Sequence, residues 1–85
     1  MAVEVFLTPA ARDGMNDLPM VILRRVNALL ERLAKWPNLS GAKPLTGPLA
    51  GRYRIRTGDY RVQFYVAGGR VIVERIGHRD GFYER

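Results

Sequence analysis

Arginine occupies alternate positions in one short stretch, Arg52, Arg54 and Arg56, and returns at Arg61 beyond a Thr57-Gly58-Asp59 turn. His78, Arg79 and Tyr83 follow near the end. A guanidinium is planar, permanently charged and fitted to pair with two phosphate oxygens at once. Several converging on one phosphate would suit RNA cleavage by attack of a ribose 2′-hydroxyl on its own phosphate. That reaction needs the 2′-oxygen deprotonated, the phosphorane charge stabilised and the leaving 5′-oxygen protonated. Preorganised donors in such a site contribute on the order of 3–4 kcal/mol each. Guanidiniums exchange protons poorly, so the proton transfers fall to an imidazole or a phenol, here His78 or Tyr83. The candidate catalytic set is therefore Arg54, Arg56, Arg61, His78, Arg79 and Tyr83. Arg52, Tyr65 and Arg75 extend it as RNA contacts.

Strands must position such a set, because residues two apart share a face. Arg61, Gln63 and Tyr65 alternate with Val62, Phe64 and Val66, which sorts cations to one face and apolar groups to the other. The pattern predicts strands at Leu49–Arg56, Asp59–Val66 and Arg70–Ile76, joined by Thr57-Gly58-Asp59 and Ala67-Gly68-Gly69 into an antiparallel meander. Tyr53, Ile55, Val62, Phe64 and Val66 should face the core. The third strand offers apolar groups on both sides (Val71 and Val73 against Ile72 and Ile76), which leaves its facing open.

Upstream, Ala2–Leu7 reads as a strand. Thr8-Pro9 opens a helix to about Asn16, with Thr as cap and Pro at the first helical position. Gly14 weakens that helix. Asp17-Leu18-Pro19 opens a second, longer helix, whose apolar residues Ile22, Val26, Leu29, Leu30, Leu33 and Trp36 recur at helical spacing until Pro37 stops it. Trp36 is expected in the core. Pro37–Pro48 reads as a loop. The expectation is one α+β domain over residues 1–85: an N-terminal strand, a helical hairpin, then a three-stranded antiparallel meander packed on the helices, in the order β-α-α-β-β-β.

Composition narrows the partners. Fourteen basic residues stand against eight acidic ones, a net +6, and all but Lys35 and Lys43 of the basic residues are Arg. From position 52 onward eight Arg meet four acids, so most of the excess lies in the predicted sheet. A basic face of this kind favours nucleic acid or an acidic protein partner. The absence of cysteine rules out disulfides and thiolate metal sites. Scattered carboxylates and one His argue against a metal centre, and neither a small-molecule cofactor nor a membrane partner is expected. No run reaches the roughly 18 apolar residues of a membrane span, and the cytoplasm is the expected compartment.

The segments Leu45-Thr46-Gly47, Tyr53-Arg54-Ile55-Arg56, Gly58-Asp59-Tyr60-Arg61-Val62 and Ile76-Gly77-His78-Arg79, with Tyr83 after them, resemble the RelE/ParE toxins of bacterial type II toxin–antitoxin systems. The resemblance extends over essentially the whole chain. It implies a cognate antitoxin protein as partner. For the RelE branch it implies a ribosome-dependent endoribonuclease acting on mRNA, with Arg54, Arg56, Arg61 and Arg79 stabilising charge and Tyr83 activating or orienting the 2′-hydroxyl. His78 falls where relatives carry Lys or His. The alternatives are a ParE-like, non-enzymatic inhibitor of DNA gyrase and a basic nucleic-acid-binding module without catalysis.

Overall fold

The structure, a computed structural model, describes residues 3–80 and residue 82. Strand β1 (Glu4–Leu7) leads into helices α1 (Pro9–Asn16) and α2 (Met20–Leu33). A loop carrying the two-residue strand β2 (Lys43–Pro44) and a 3-10 turn (Gly47–Leu49) precedes β3 (Tyr53–Thr57), β4 (Tyr60–Ala67) and β5 (Arg70–His78). The α+β class and the meander β3–β4–β5 are as expected. Among the described residues no helix is long and apolar enough to cross a membrane.

The sheet order is β1-β5-β4-β3-β2. Two of its features depart from the sequence reading. The N-terminal strand joins the sheet parallel to β5, so β5 is an interior strand. The expected loop contributes an edge strand, because Lys43 and Pro44 pair antiparallel with Arg54 and Tyr53; an edge tolerates the N–H that Pro lacks. Boundaries also move. β3 starts at Tyr53 rather than Leu49, since Gly47–Leu49 coils into the 3-10 turn. α2 ends at Leu33 rather than Trp36. The N–H groups of Ala34, Lys35 and Trp36 bond carbonyls three residues back, a tightening forced ahead of Pro37, which disfavours helical backbone in the residue before it.

Local chemistry accounts for how α1 sits. The Thr8 hydroxyl accepts from the Ala11 N–H (3.2 Å) and donates to the Glu74 carbonyl (3.0 Å), so the cap also ties α1 to β5. Gly14, unfavourable by propensity, is demanded by packing: a Cβ there would lie 2.1 Å from the Ile76 carbonyl oxygen. The core forms between the helices and one sheet face, with Val26, Leu33, Val62, Phe64, Val71 and Val73 fully enclosed. Trp36 packs against it edge-on, 4.8 Å from the Tyr53 ring and 5.5 Å from Phe64.

The ambiguity in β5 resolves through a bulge. Phe64 pairs with Val73 but Gln63 pairs with Arg75, leaving Glu74 as the extra residue. Val71 and Val73 point to the helices before it and Ile76 after it. The bulge thus turns Arg75 and Gly77 to the open face, and Ile76 and His78 to the helix side.

Candidate functional site

Paired residues on neighbouring strands share a face, so the register writes out the open side of the sheet as rows. One row is Arg56, Arg61 and Gly77. The next is Lys43, Arg54, Gln63 and Arg75. A third is Tyr65, Ile72 and Phe6, and the Arg52 guanidinium reaches over the Tyr65 ring at 5.7 Å. Rows on one strand lie about 7 Å apart, two residues of strand rise. Arg54, Arg56 and Arg61 therefore meet on one surface, joined by Arg52, Tyr65 and Arg75. Arg79 sits at the same end as Arg56 and Arg61, because its N–H bonds the carbonyl of Asp59 in the β3–β4 turn (2.7 Å).

Acidic side chains divide these cations into two groups. Glu74 holds Arg52 (Nε to Oε1, 2.7 Å), and the same oxygen accepts from the Gln63 amide (3.2 Å). That hydrogen bond, then the charge of Glu74, raises the Arg52 pKa above its ordinary value. Glu4 pairs with Arg70 at 3.3 Å, and Asp59 and Asp80 flank Arg79 at 3.9 and 3.7 Å. Among the described residues, Arg54, Arg56 and Arg61 form no ion pair. Arg61 is half-buried, and its Nη1 is fully enclosed without a hydrogen-bond partner. An enclosed, unpartnered guanidinium nitrogen is costly. A phosphate oxygen would meet Arg61 through its other donors, or at this nitrogen only after the side chain turns outward.

Phe82 helps to shape this corner. It is 2% exposed yet stands apart from the main core cluster. Its ring lies 3.4 Å from where a Gly77 Cβ would be, and the Arg75 guanidinium lies 4.7 Å from the ring centre. The absent side chain of Gly77 leaves the space that this ring fills, in the row of Arg61.

His78 does not join the arginines. It pairs with Tyr60 on the helix-side face, their rings edge-on at 5.1 Å. Its Nδ1 accepts from the Asp80 N–H (3.1 Å). Tyr83 lies outside the described residues. Among the described residues no three His, Asp or Glu side chains converge as a metal site requires. The sequence reading missed Lys43, Glu74, Phe82 and Phe6 as parts of this face. Lys43 arrives only through β2, and Glu74 only through the bulge. Phe6 sits between Val5 and Leu7 in an apolar run and Phe82 between Gly81 and Tyr83, so no alternation marked either as part of this face.

Solved structures share this architecture. A chain of the toxin–antitoxin complex RelBE2 from Mycobacterium tuberculosis is 32% identical over 93% of this chain and 100% of that one, with a TM-score of 0.82. A chain of the RelB–RelE antitoxin–toxin complex from Methanococcus jannaschii is 26% identical over 93% and 95%, with a TM-score of 0.79. The isolated Escherichia coli RelE toxin, 18% identical over 91% and 84%, shares the fold at a TM-score of 0.75. No curated protein matches in sequence. This likeness in fold and sequence places the chain in the RelE/ParE toxin superfamily. Residues 5–81 match the profile of the ParE toxin of type II toxin–antitoxin systems, parDE, and the chain belongs to that family.

Proposed function

We propose that this toxin is an mRNA endoribonuclease whose site is the open sheet face at Arg54, Arg56 and Arg61. The observation that carries the reading is the pairing pattern: acids neutralise the neighbouring Arg52, Arg70 and Arg79 and leave these three arginines available. The 2′-oxygen of the substrate attacks the adjacent phosphorus and the bond to the 5′-oxygen breaks, giving a 2′,3′-cyclic phosphate and a 5′-hydroxyl. Arg61 and Arg56, side by side, neutralise the phosphorane oxygens. Arg54 and Lys43 hold the next phosphate along. Arg79, paired with Asp59 and Asp80, borders the site at the end of the same sheet. Tyr83 takes the proton of the attacking hydroxyl, and water protonates the departing 5′-oxygen. Mapping cuts by primer extension in a reconstituted translation reaction tests the reading. Discrete cuts that vanish with Arg61→Ala are expected, and intact mRNA with wild-type protein would refute it.

The ParE family match favours a second reading, non-enzymatic inhibition of DNA gyrase. A supercoiling assay decides it: inhibition at micromolar protein without RNA scission would replace the nuclease. On either reading the protein partner is a cognate antitoxin. The relatives from M. tuberculosis and M. jannaschii are chains of toxin–antitoxin complexes. This chain has a groove of about 400 Å³ beside edge strand β1, lined by Val3, Val5, Leu7, Leu30 and Ala34 with Asn27 and Glu31, a mainly apolar surface that suits a protein segment. Co-expression with the adjacent reading frame should give a single peak on size exclusion, and two separate peaks would count against the pairing.

A further inference from the structure

The nuclease reading uses two rows of the open face and leaves the third, Tyr65–Ile72–Phe6, without a task. Phe6 is 44% exposed, an unusual place for a Phe in the middle of a strand. Its register partner Ile72 and then Tyr65 continue the row across three strands. Each ring at the ends of the row has a guanidinium against it: Arg52 at 5.7 Å from Tyr65 and Arg70 at 5.3 Å from Phe6. Both of these arginines are held in place by an acid, Glu74 and Glu4. Flat apolar rings next to restrained cations are the chemistry that single-stranded nucleic acid binders use to stack bases while tracking the backbone.

Resting on that nuclease reading, we propose that the Tyr65–Ile72–Phe6 row is a stacking subsite for bases that flank the cleaved nucleotide. Tyr65 stands four residues along β4 from Arg61, about 14 Å. A base on it therefore belongs to a nucleotide away from the scissile phosphate. The two rings are separated by two strand spacings, about 10 Å, with Ile72 as an apolar floor between them. An incoming base takes the guanidinium's place against each ring, while Glu74 and Glu4 keep the displaced Arg52 and Arg70 at its edge. The charge of the face selects a polyanion, and the rings select one with accessible base planes, which a duplex does not offer. Single-stranded RNA is the occupant.

The test separates stacking from charge. The full-length toxin is titrated by fluorescence anisotropy against a short 2′-O-methyl oligoadenylate, which cannot be cleaved, and against an abasic 2′-O-methyl ribose–phosphate strand of the same length. Wild type should bind the base-bearing strand about tenfold or more tightly than the abasic one. Phe6→Leu should cut that ratio about fivefold and leave abasic binding unchanged, while Phe6→Trp should preserve the ratio. A wild-type ratio near one, no binding of either strand, a ratio indifferent to Phe6→Leu, or equal loss on both strands would each overturn the subsite. The nuclease reading answers to a separate result. Protein that cuts mRNA with a ratio blind to Phe6 keeps the nuclease and loses the subsite. Protein that shows the ratio and cuts nothing keeps the subsite as a base-stacking surface and loses the nuclease.

Discussion

Replacing Arg61 by Met should raise stability while it removes activity. Arg61 stands directly opposite Arg56, and like charges directly opposed across a strand pair cost about 0.2–1 kcal/mol. Its Nη1 is enclosed without a partner, and an unsatisfied buried polar group costs about 1–3 kcal/mol. Methionine keeps most of the apolar stem, so the loss of side-chain packing is small. The net expectation is a gain of about 1 kcal/mol, which in a domain of this size raises Tm by about 4–8 °C. Activity should move the other way. Removing one preorganised donor lowers the rate by about 10²–10³-fold. Arg61→Lys should fall between the two, because it restores the charge without the two-pronged donor. Thermal unfolding followed by Trp36 fluorescence and primer-extension cleavage on the same preparations give both numbers. A variant that melts lower than wild type and still cuts at the wild-type rate would refute the account of Arg61 as a strained phosphate ligand.

Two further perturbations follow from the same geometry. Gly14→Ala should destabilise by ~3 kcal/mol or more despite the better helix propensity of Ala, because the new Cβ would sit 2.1 Å from a backbone oxygen of β5; an unchanged melting curve would overturn the packing of α1. Glu74→Gln keeps the shape of the Arg52 and Gln63 contacts and removes the charge that restrains Arg52. Single-stranded RNA affinity should then rise at low salt, and the slope of log K against log salt should steepen by about 0.7 for one added phosphate contact; an equal slope would show that Arg52 was already bound to RNA.

Much of this fold was legible because its signals are local. Alternation marked β4, the Thr8-Pro9 pair marked the start of α1, and helical spacing marked the buried side of α2. What escaped was set by pairing partners that no local pattern shows. One inserted residue at Glu74 decides which side chains of β5 reach the arginine face. Counting by twos from Val71 puts Arg75 and Gly77 toward the helices and His78 toward the arginines. The bulge reverses both assignments, bringing Arg75 onto the open face and taking His78 off it. The only trace of it in sequence is the change of parity from Val71 and Val73 to Ile76, which read as ambiguity. The parallel placement of β1 and the pairing of Lys43 with Arg54 were hidden for the same reason. The arginines themselves were legible, since their spacing alone puts Arg54 and Arg56 on one side. Which of them are available was not, because their acidic partners come from other strands and turns.

That distribution of acids bears on the kind of target the face can take. A sheet with every cation free would present a broad positive field and hold any polyanion, duplex included, mainly through backbone phosphates. Here the cations at the margins are countered: Arg52 by Glu74, Arg70 by Glu4, Arg79 by Asp59 and Asp80. The uncountered Arg54, Arg56 and Arg61, with Lys43 on the edge strand, occupy two rows about 7 Å apart, so the strongest potential is confined to a patch suited to one or two phosphates. Pairing at the margin lowers indiscriminate affinity and leaves Arg54, Arg56 and Arg61 as the cations with most to gain from a specific phosphate. A patch that small favours holding one phosphodiester in place over gripping an extended surface. It is the reason to test RNA scission before gyrase inhibition.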